Sequence, residues 1–167
     1  MLDIAIDADG EWDSSSGWDE LARAAATAAI AESAFPQLAS SERTVELSIR
    51  LASDAEVLVL NSQWRGKDKP TNVLSFPMAD ADDLSAAITA GPELMLGDIV
   101  LARGVCTAEA EDKSIAVENH AAHLLVHGTL HLLGYDHLDE DSAADMEARE
   151  VRALARMGIA DPYGDRG

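Results

Sequence analysis

Cysteine is almost missing from this chain. Its 167 residues include one, Cys106, so no internal disulfide can form. A lone thiol fits a reducing compartment, and Cys106 reads as a small buried apolar residue. Basic residues are scarce as well: 12 Lys and Arg stand against 31 Asp and Glu, a formal net charge of −19. Indiscriminate binding to nucleic acid depends on Lys and Arg displacing counterions from phosphate. So acidic a chain is excluded from that class, and no DNA partner is expected. Any RNA it acts on must meet a local basic patch or be brought by a partner. Long apolar runs are missing too. None reaches the ~18 residues of a membrane span, and MLDIAIDADGEW lacks the basic-then-apolar order of a secretory signal. The expectation is a cytoplasmic protein with no membrane contact.

What is present is enough for a core. Apolar residues make up 47% of the chain, and the length fits one domain, expected over residues 1–160 with a loose tail at 161–167. LDIAIDA (2–8) and VELSIRLA (45–52) alternate apolar and polar residues and predict strands; VLSFPM (73–78) and LMLGDIVLA (94–102) are strand-like. A helix is expected from Trp18 to about Ala34, with Trp18, Leu21, Ala25, Ala28 and Ala29 on one face and Pro36 as its stop. Asp54 is expected to cap a second helix, Ala55 to about Trp64. Residues 79–93 read as an exposed acidic loop with at most one helical turn. From Gly104 to Leu133 the pattern is helical, with a break near 112–114, and Gly134 ends it. Ser142 to Asp145 resembles a capping box opening a last helix that runs to about Met157. This order predicts an α+β domain: a mixed sheet of about four strands, covered by helices, whose β-α-β start favours a parallel pair and whose close third-to-fourth connection allows an antiparallel edge.

The chemistry concentrates in HGTLHLLGYDH, residues 127–137. His123, His127 and His131 lie four apart and share one helix face. His123 and His131 are roughly 12 Å apart along the axis, too far to hold one ion together. Neighbours one turn apart can share one at about 2.0–2.1 Å. Gly134 lets the chain turn back and bring His137 round. The spacing therefore proposes a metal held by His127, His131 and His137 at the end of a central helix, with an open fourth position, as in catalytic zinc sites. His123 is a further candidate for the cleft, whereas His120 is expected to face solvent. Asp136, beside the third ligand, reads either as a carboxylate that supports the site or moves a proton, or as a solvated turn residue.

A second cluster lies in LNSQWRGKDKPTNVLSFPM (60–78), where Arg65, Lys67 and Lys69 place three cations within five positions. A guanidinium there can clamp a phosphate, and the lysines are candidate RNA contacts. WRGKDKPTNVLSFP, then LGDIVLA, then HGTLHLLGYDH, in this order, strongly resembles the YbeY family of bacterial rRNA maturation factors. The resemblance extends to DMEARE and DPYG and covers roughly residues 45–164; before that only a strand and a helix match. It implies a metal-dependent, single-strand-specific endoribonuclease in 16S rRNA 3′-end processing and ribosome quality control. It also implies one zinc ion per chain on His127, His131 and His137, a functional arginine at Arg65, and the ribosomal small subunit as partner.

Zinc proteases with a similar histidine spacing carry a glutamate base after the first His. Here that residue is Gly128. Its absence speaks against peptide hydrolysis and is tolerable for phosphodiester cleavage, where the metal, a cation and the substrate's 2′-hydroxyl meet other needs. Two alternatives stay open: a ribosome-associated assembly factor whose metal is structural, and a metalloprotease with a displaced base. The acidic surface also suggests a basic ribosomal protein as a docking partner.

Overall fold

The computed structural model describes residues 2–10, 12, 17–41, 43–66, 71–86, 93–136 and 138–163, without the side chains of residues 65, 81, 85 and 86. Lys67, Lys69, His137 and the Arg65 side chain lie outside the described residues. The alternating segments form four strands, β1 (Leu2–Ala8), β2 (Val45–Ala52), β3 (Val73–Pro77) and β4 (Leu94–Ala102), in the order β1-β2-β4-β3. β1 and β2 pair in parallel, as do β2 and β4, while β3 runs antiparallel to β4 at the edge. The mixed α+β sheet expected from the element order is the one observed. Among the described residues six helices surround it: α1 (Trp18–Ala31), α2 (Asp54–Arg65), α3 (Ala81–Ala86), α4 (Arg103–Lys113), α5 (Val117–Leu132) and α6 (Glu140–Arg156).

Period-two alternation puts the strands' apolar residues on opposite faces. Leu47, Ile49, Leu51, Ile99 and Leu101 pack with buried residues of α1, α5 and α6. The neighbouring positions Ala52, Val100 and Ala102 pack instead with Val57 and Leu60 of α2. α5 and α2 therefore lie on opposite faces of the sheet. α5 is the central helix, buried along most of its length.

Several local expectations are corrected at element ends. α1 stops at Ala31 rather than about Ala34; the Ser33 hydroxyl donates to the Ile30 carbonyl and accepts from Phe35 N–H, and Pro36–Ala39 form a 3-10 turn. α2 is capped by Ser53, whose hydroxyl accepts from Glu56 N–H at 3.2 Å. Asp54 instead accepts from the Gly104 and Val105 amides at 2.8 and 3.1 Å, stabilising the start of α4. The capping box of α6 is formed by Asp139 with Ser142 as its third residue, so the helix begins ahead of the expected Ser142. The acidic segment contains α3, whose Leu84 is buried; residues 87–92 lie outside the described residues. The expected break in the 104–133 helix falls at 114–116, where Ser114 takes a left-handed conformation.

Candidate active site

α5 carries His120, His123, His127 and His131 along one wall of a cleft of about 730 Å³. Its other walls are β3, α4, the turn after α5, and Tyr163. The i, i+4 spacing brings the Nε2 atoms of His127 and His131 to 3.0 Å, with the rings crossed at 83°. Two nitrogens tetrahedrally bound at about 2.0–2.1 Å to one ion lie about 3.3 Å apart. The pair fits that arrangement.

The residue that organises these imidazoles is Glu150 on α6. It is 1% exposed. Its Oε2 lies 3.2 Å from His127 Nδ1, and its Oε1 lies 2.6 Å from His123 Nε2. The Tyr163 hydroxyl donates to the same Oε1 at 2.7 Å. An ionised carboxylate only accepts, so each ring nitrogen facing it carries a proton. His127 consequently presents the lone pair of Nε2 to the cleft. Burial pushes the Glu150 carboxyl up, but hydrogen bonds from His123, His127 and Tyr163 outweigh it and hold the group down to about 2. Glu150 escaped the sequence reading. Its signal was an acidic residue on the apolar stripe of α6, in line with buried Met146, Ala153 and Leu154. Tyr163, in the segment expected to be a loose tail, lines the cleft through these contacts.

His120 corrects an expectation. It is 1% exposed rather than solvent-facing, because α4 folds back beside the start of α5. Its Nε2 lies 2.9 Å from Glu109 Oε1. Burial lowers its pKa against the opposing pull of Glu109. His123 lies in the cleft wall, tied to Glu150 and Tyr163.

Past His131 the helix ends in a reversal. Gly134, at φ 95°, follows the last turn; its amide donates to the His131 carbonyl at 3.0 Å, and the Tyr135 amide to Leu130 at 3.1 Å. Asp136 then lies on the cleft wall. The histidine expected next, His137, is outside the described residues. Arg65 closes α2, the helix packed on the sheet face opposite α5.

Gly128 is turned toward the sheet. A Cβ there would lie 3.1 Å from Ile99 Cγ2 and 3.1 Å from Ser75 Oγ. A glutamate at this position would press on the side chains of Ser75 and Ile99, which would have to give by a few tenths of an ångström. Gly128→Val is expected to lower stability by about 1–3 kcal/mol through overpacking, measurable by urea denaturation. A variant as stable as the parent would show that the contact yields freely.

The cleft thus gathers His120, His123, His127 and His131, with buried Glu150 behind His123 and His127, donors chemically suited to a divalent metal. Among the described residues no group of three or more His, Cys, Asp or Glu is arranged to hold one ion. No described helix is long and apolar enough to cross a membrane.

Comparison with known proteins accounts for this combination of sheet and histidine helix. A solution structure of TM1509 from Thermotoga maritima has a similar fold, with a TM-score of 0.57 and 22% identity, over 93% of this chain and 92% of that one. Proteins named Endoribonuclease YbeY from Sphingopyxis alaskensis and Erythrobacter litoralis are 50% and 52% identical to it, each over 99% of this chain and over 99% and 98% of their own lengths. Residues 13–158 match the family described as Endoribonuclease YbeY. The likeness therefore takes in the first forty residues, where the sequence alone matched only as a strand and a helix. On this evidence of sequence along almost its whole length, the chain belongs to the YbeY family of endoribonucleases.

Proposed function

We propose that this protein is a metal-dependent endoribonuclease, a hydrolase that cuts phosphodiester bonds in single-stranded RNA. The observation that carries this reading is the His127–His131 pair, with Nε2 atoms 3.0 Å apart and the other nitrogen of His127 held by buried Glu150. His127, His131 and His137 hold one divalent ion; imidazole donors suit zinc, among other metals. When bound, the ion supplies Lewis acidity toward a phosphoryl oxygen and toward water. The protein's own groups do the rest. Glu150 keeps the proton of His127 on Nδ1 and so orients its ligating nitrogen. In this reading Arg65 supplies a cation for the charge that develops on the phosphoryl oxygens. Lys67 and Lys69 add phosphate contacts. His123 and Asp136 are candidates for moving the proton of the nucleophile, whether water or the substrate's 2′-hydroxyl.

The packing of Gly128 supports this reading over a protease, since a side chain there would press on Ile99 and Ser75 of the sheet. The substrate in this proposal is 16S rRNA at its 3′ end in the small subunit, within maturation and quality control. With a net charge of −19 the surface suits a basic ribosomal protein as docking partner. The test compares cleavage of naked rRNA and rRNA in the small subunit, with and without chelator. Cleavage that survives removal of the metal overturns the metal-dependent reading. Equal cleavage of both substrates removes the need for a docking partner.

Arg65→Ala is expected to keep metal and fold and to lower cleavage by about 10- to 100-fold. Arg65→Lys should not restore it, because lysine lacks the planar fork. Wild-type cleavage rates in Arg65→Ala would remove the residue from the mechanism.

A further inference from the structure

Glu109 stands on α4 in the same cleft, and the proposed chemistry leaves it without a task. Its Oε1 accepts from Asn72 Nδ2 at 3.1 Å and faces His120 Nε2 at 2.9 Å. The Asn72 oxygen is itself engaged, accepting from Val73 N–H at 2.7 Å, which turns its amino group to Glu109. His120 is buried, and burial pushes its pKa down, so a neutral ring with its proton on Nε2 satisfies the carboxylate. One oxygen of Glu109 is therefore clamped from the start of β3 and from α5. The Asn72 and His120 contacts both fall on that oxygen, and the side chain stays 36% exposed at the cleft.

A fixed carboxylate repels phosphate and suits an N–H donor. In single-stranded RNA the N–H donors belong to the base edges; the ribose 2′-hydroxyl donates as well, but it is the same on every nucleotide, so a base preference tells the two apart. We propose that Glu109 reads a nucleobase beside the scissile phosphate, accepting a hydrogen bond from the amino group of adenine, cytosine or guanine and disfavouring uracil. Uracil has one N–H on that edge, flanked by two carbonyl oxygens that a carboxylate repels. The proposal rests on the endoribonuclease reading. His120 precedes His127 by two helical turns, about 10 Å along the axis, so the base read there belongs to a nucleotide outside the reacting group. Lys113 follows Glu109 by one turn on α4 and also lines the cleft, where it offers a cation to that nucleotide's phosphate.

The probes are an oligouridylate and the same oligomer with a single A, C or G at successive positions. Binding is read by fluorescence anisotropy with chelator present, and cleavage separately with metal. At one position an amino-bearing base should bind and be cut about tenfold better than uracil. Glu109→Gln can keep its oxygen toward Asn72 and His120 while turning an amino group to the cleft, so the preference should vanish or reverse toward uracil. Circular dichroism and thermal unfolding check that the variant folds; if it does not, Asn72→Ala, which releases one side of the clamp, should weaken the preference while Glu109 remains. Equal binding of all oligomers by the parent overturns the proposal even where cleavage is intact. A uniform loss in Glu109→Gln with the preference unchanged overturns it as well, and marks Glu109 as a tether or a proton acceptor. A binding preference without cleavage of any oligomer supports the base contact and overturns the nuclease reading instead.

Discussion

His131→Ala is expected to strip the proposed metal and, with it, to lower RNA cleavage by a factor of about 10³ or more. The expectation follows from the proposed three-histidine site: without His131, whose Nε2 lies 3.0 Å from that of His127, the two remaining imidazoles would hold an ion far more weakly. His127→Ala should do the same and also leave Glu150 without one of its three donors. His137→Ala tests the return of the chain after Gly134, and metal analysis of that variant decides it. A fully loaded His137→Ala protein would sink the three-histidine site. His120→Ala is the contrasting case. It should keep its metal, because His120 is turned to Glu109, even where loss of a buried side chain lowers stability.

Removing the Glu150 carboxylate has the largest expected effect on stability. Glu150→Ala leaves His123, His127 and Tyr163 facing a void in a buried site, at a cost of about 3–5 kcal/mol. Metal affinity should fall about 10- to 100-fold as His127 loses the group that orients it. Glu150→Gln keeps the shape but turns an amino group toward a donor, so it should fall between the two. The folded carboxyl sits at about 2, below its ordinary value of 4.5. Between these values the unfolded chain binds the proton and the folded one does not. The contribution is therefore complete above pH 4.5 and is lost as pH falls toward 2, by roughly 3 kcal/mol in all. Urea unfolding of parent and Glu150→Ala at pH 7 and pH 3 measures it. The gap between the two proteins should shrink at pH 3, and a gap that stays constant would refute the account in which hydrogen bonds keep the buried carboxylate ionised.

Much of this architecture was legible because it is local. VELSIRLA alternates with period two and can bury one face only as a strand. His127 and His131 had to be neighbours once LLVHGTLHLL was helical, since four residues make about one turn. Gly134 had to end that helix, because its backbone lies at φ 95°, which glycine adopts without strain. Element ends were less legible. Ser53 and Asp54 are both capping residues, and a window around them cannot show that Asp54 is claimed by the Gly104 and Val105 amides fifty residues on.

By itself, then, the sequence determined the strands, the central helix with its reversal, the spacing of the histidine pair and the family, all of which depend on residues close in the chain or on their order along it. Tertiary structure alone decided three further things. It buried His120 beneath α4, where composition suggested an exposed surface residue. It packed Gly128 against Ile99 and Ser75, which turns an apparent gap in a catalytic motif into a packing requirement. It also carried Glu150 from α6 to the rings of α5, 23 and 27 residues back along the chain. Each is a contact between elements. Such contacts form because helices must bury their apolar faces against the sheet and one another, and the partners that burial brings together are set by the fold as a whole.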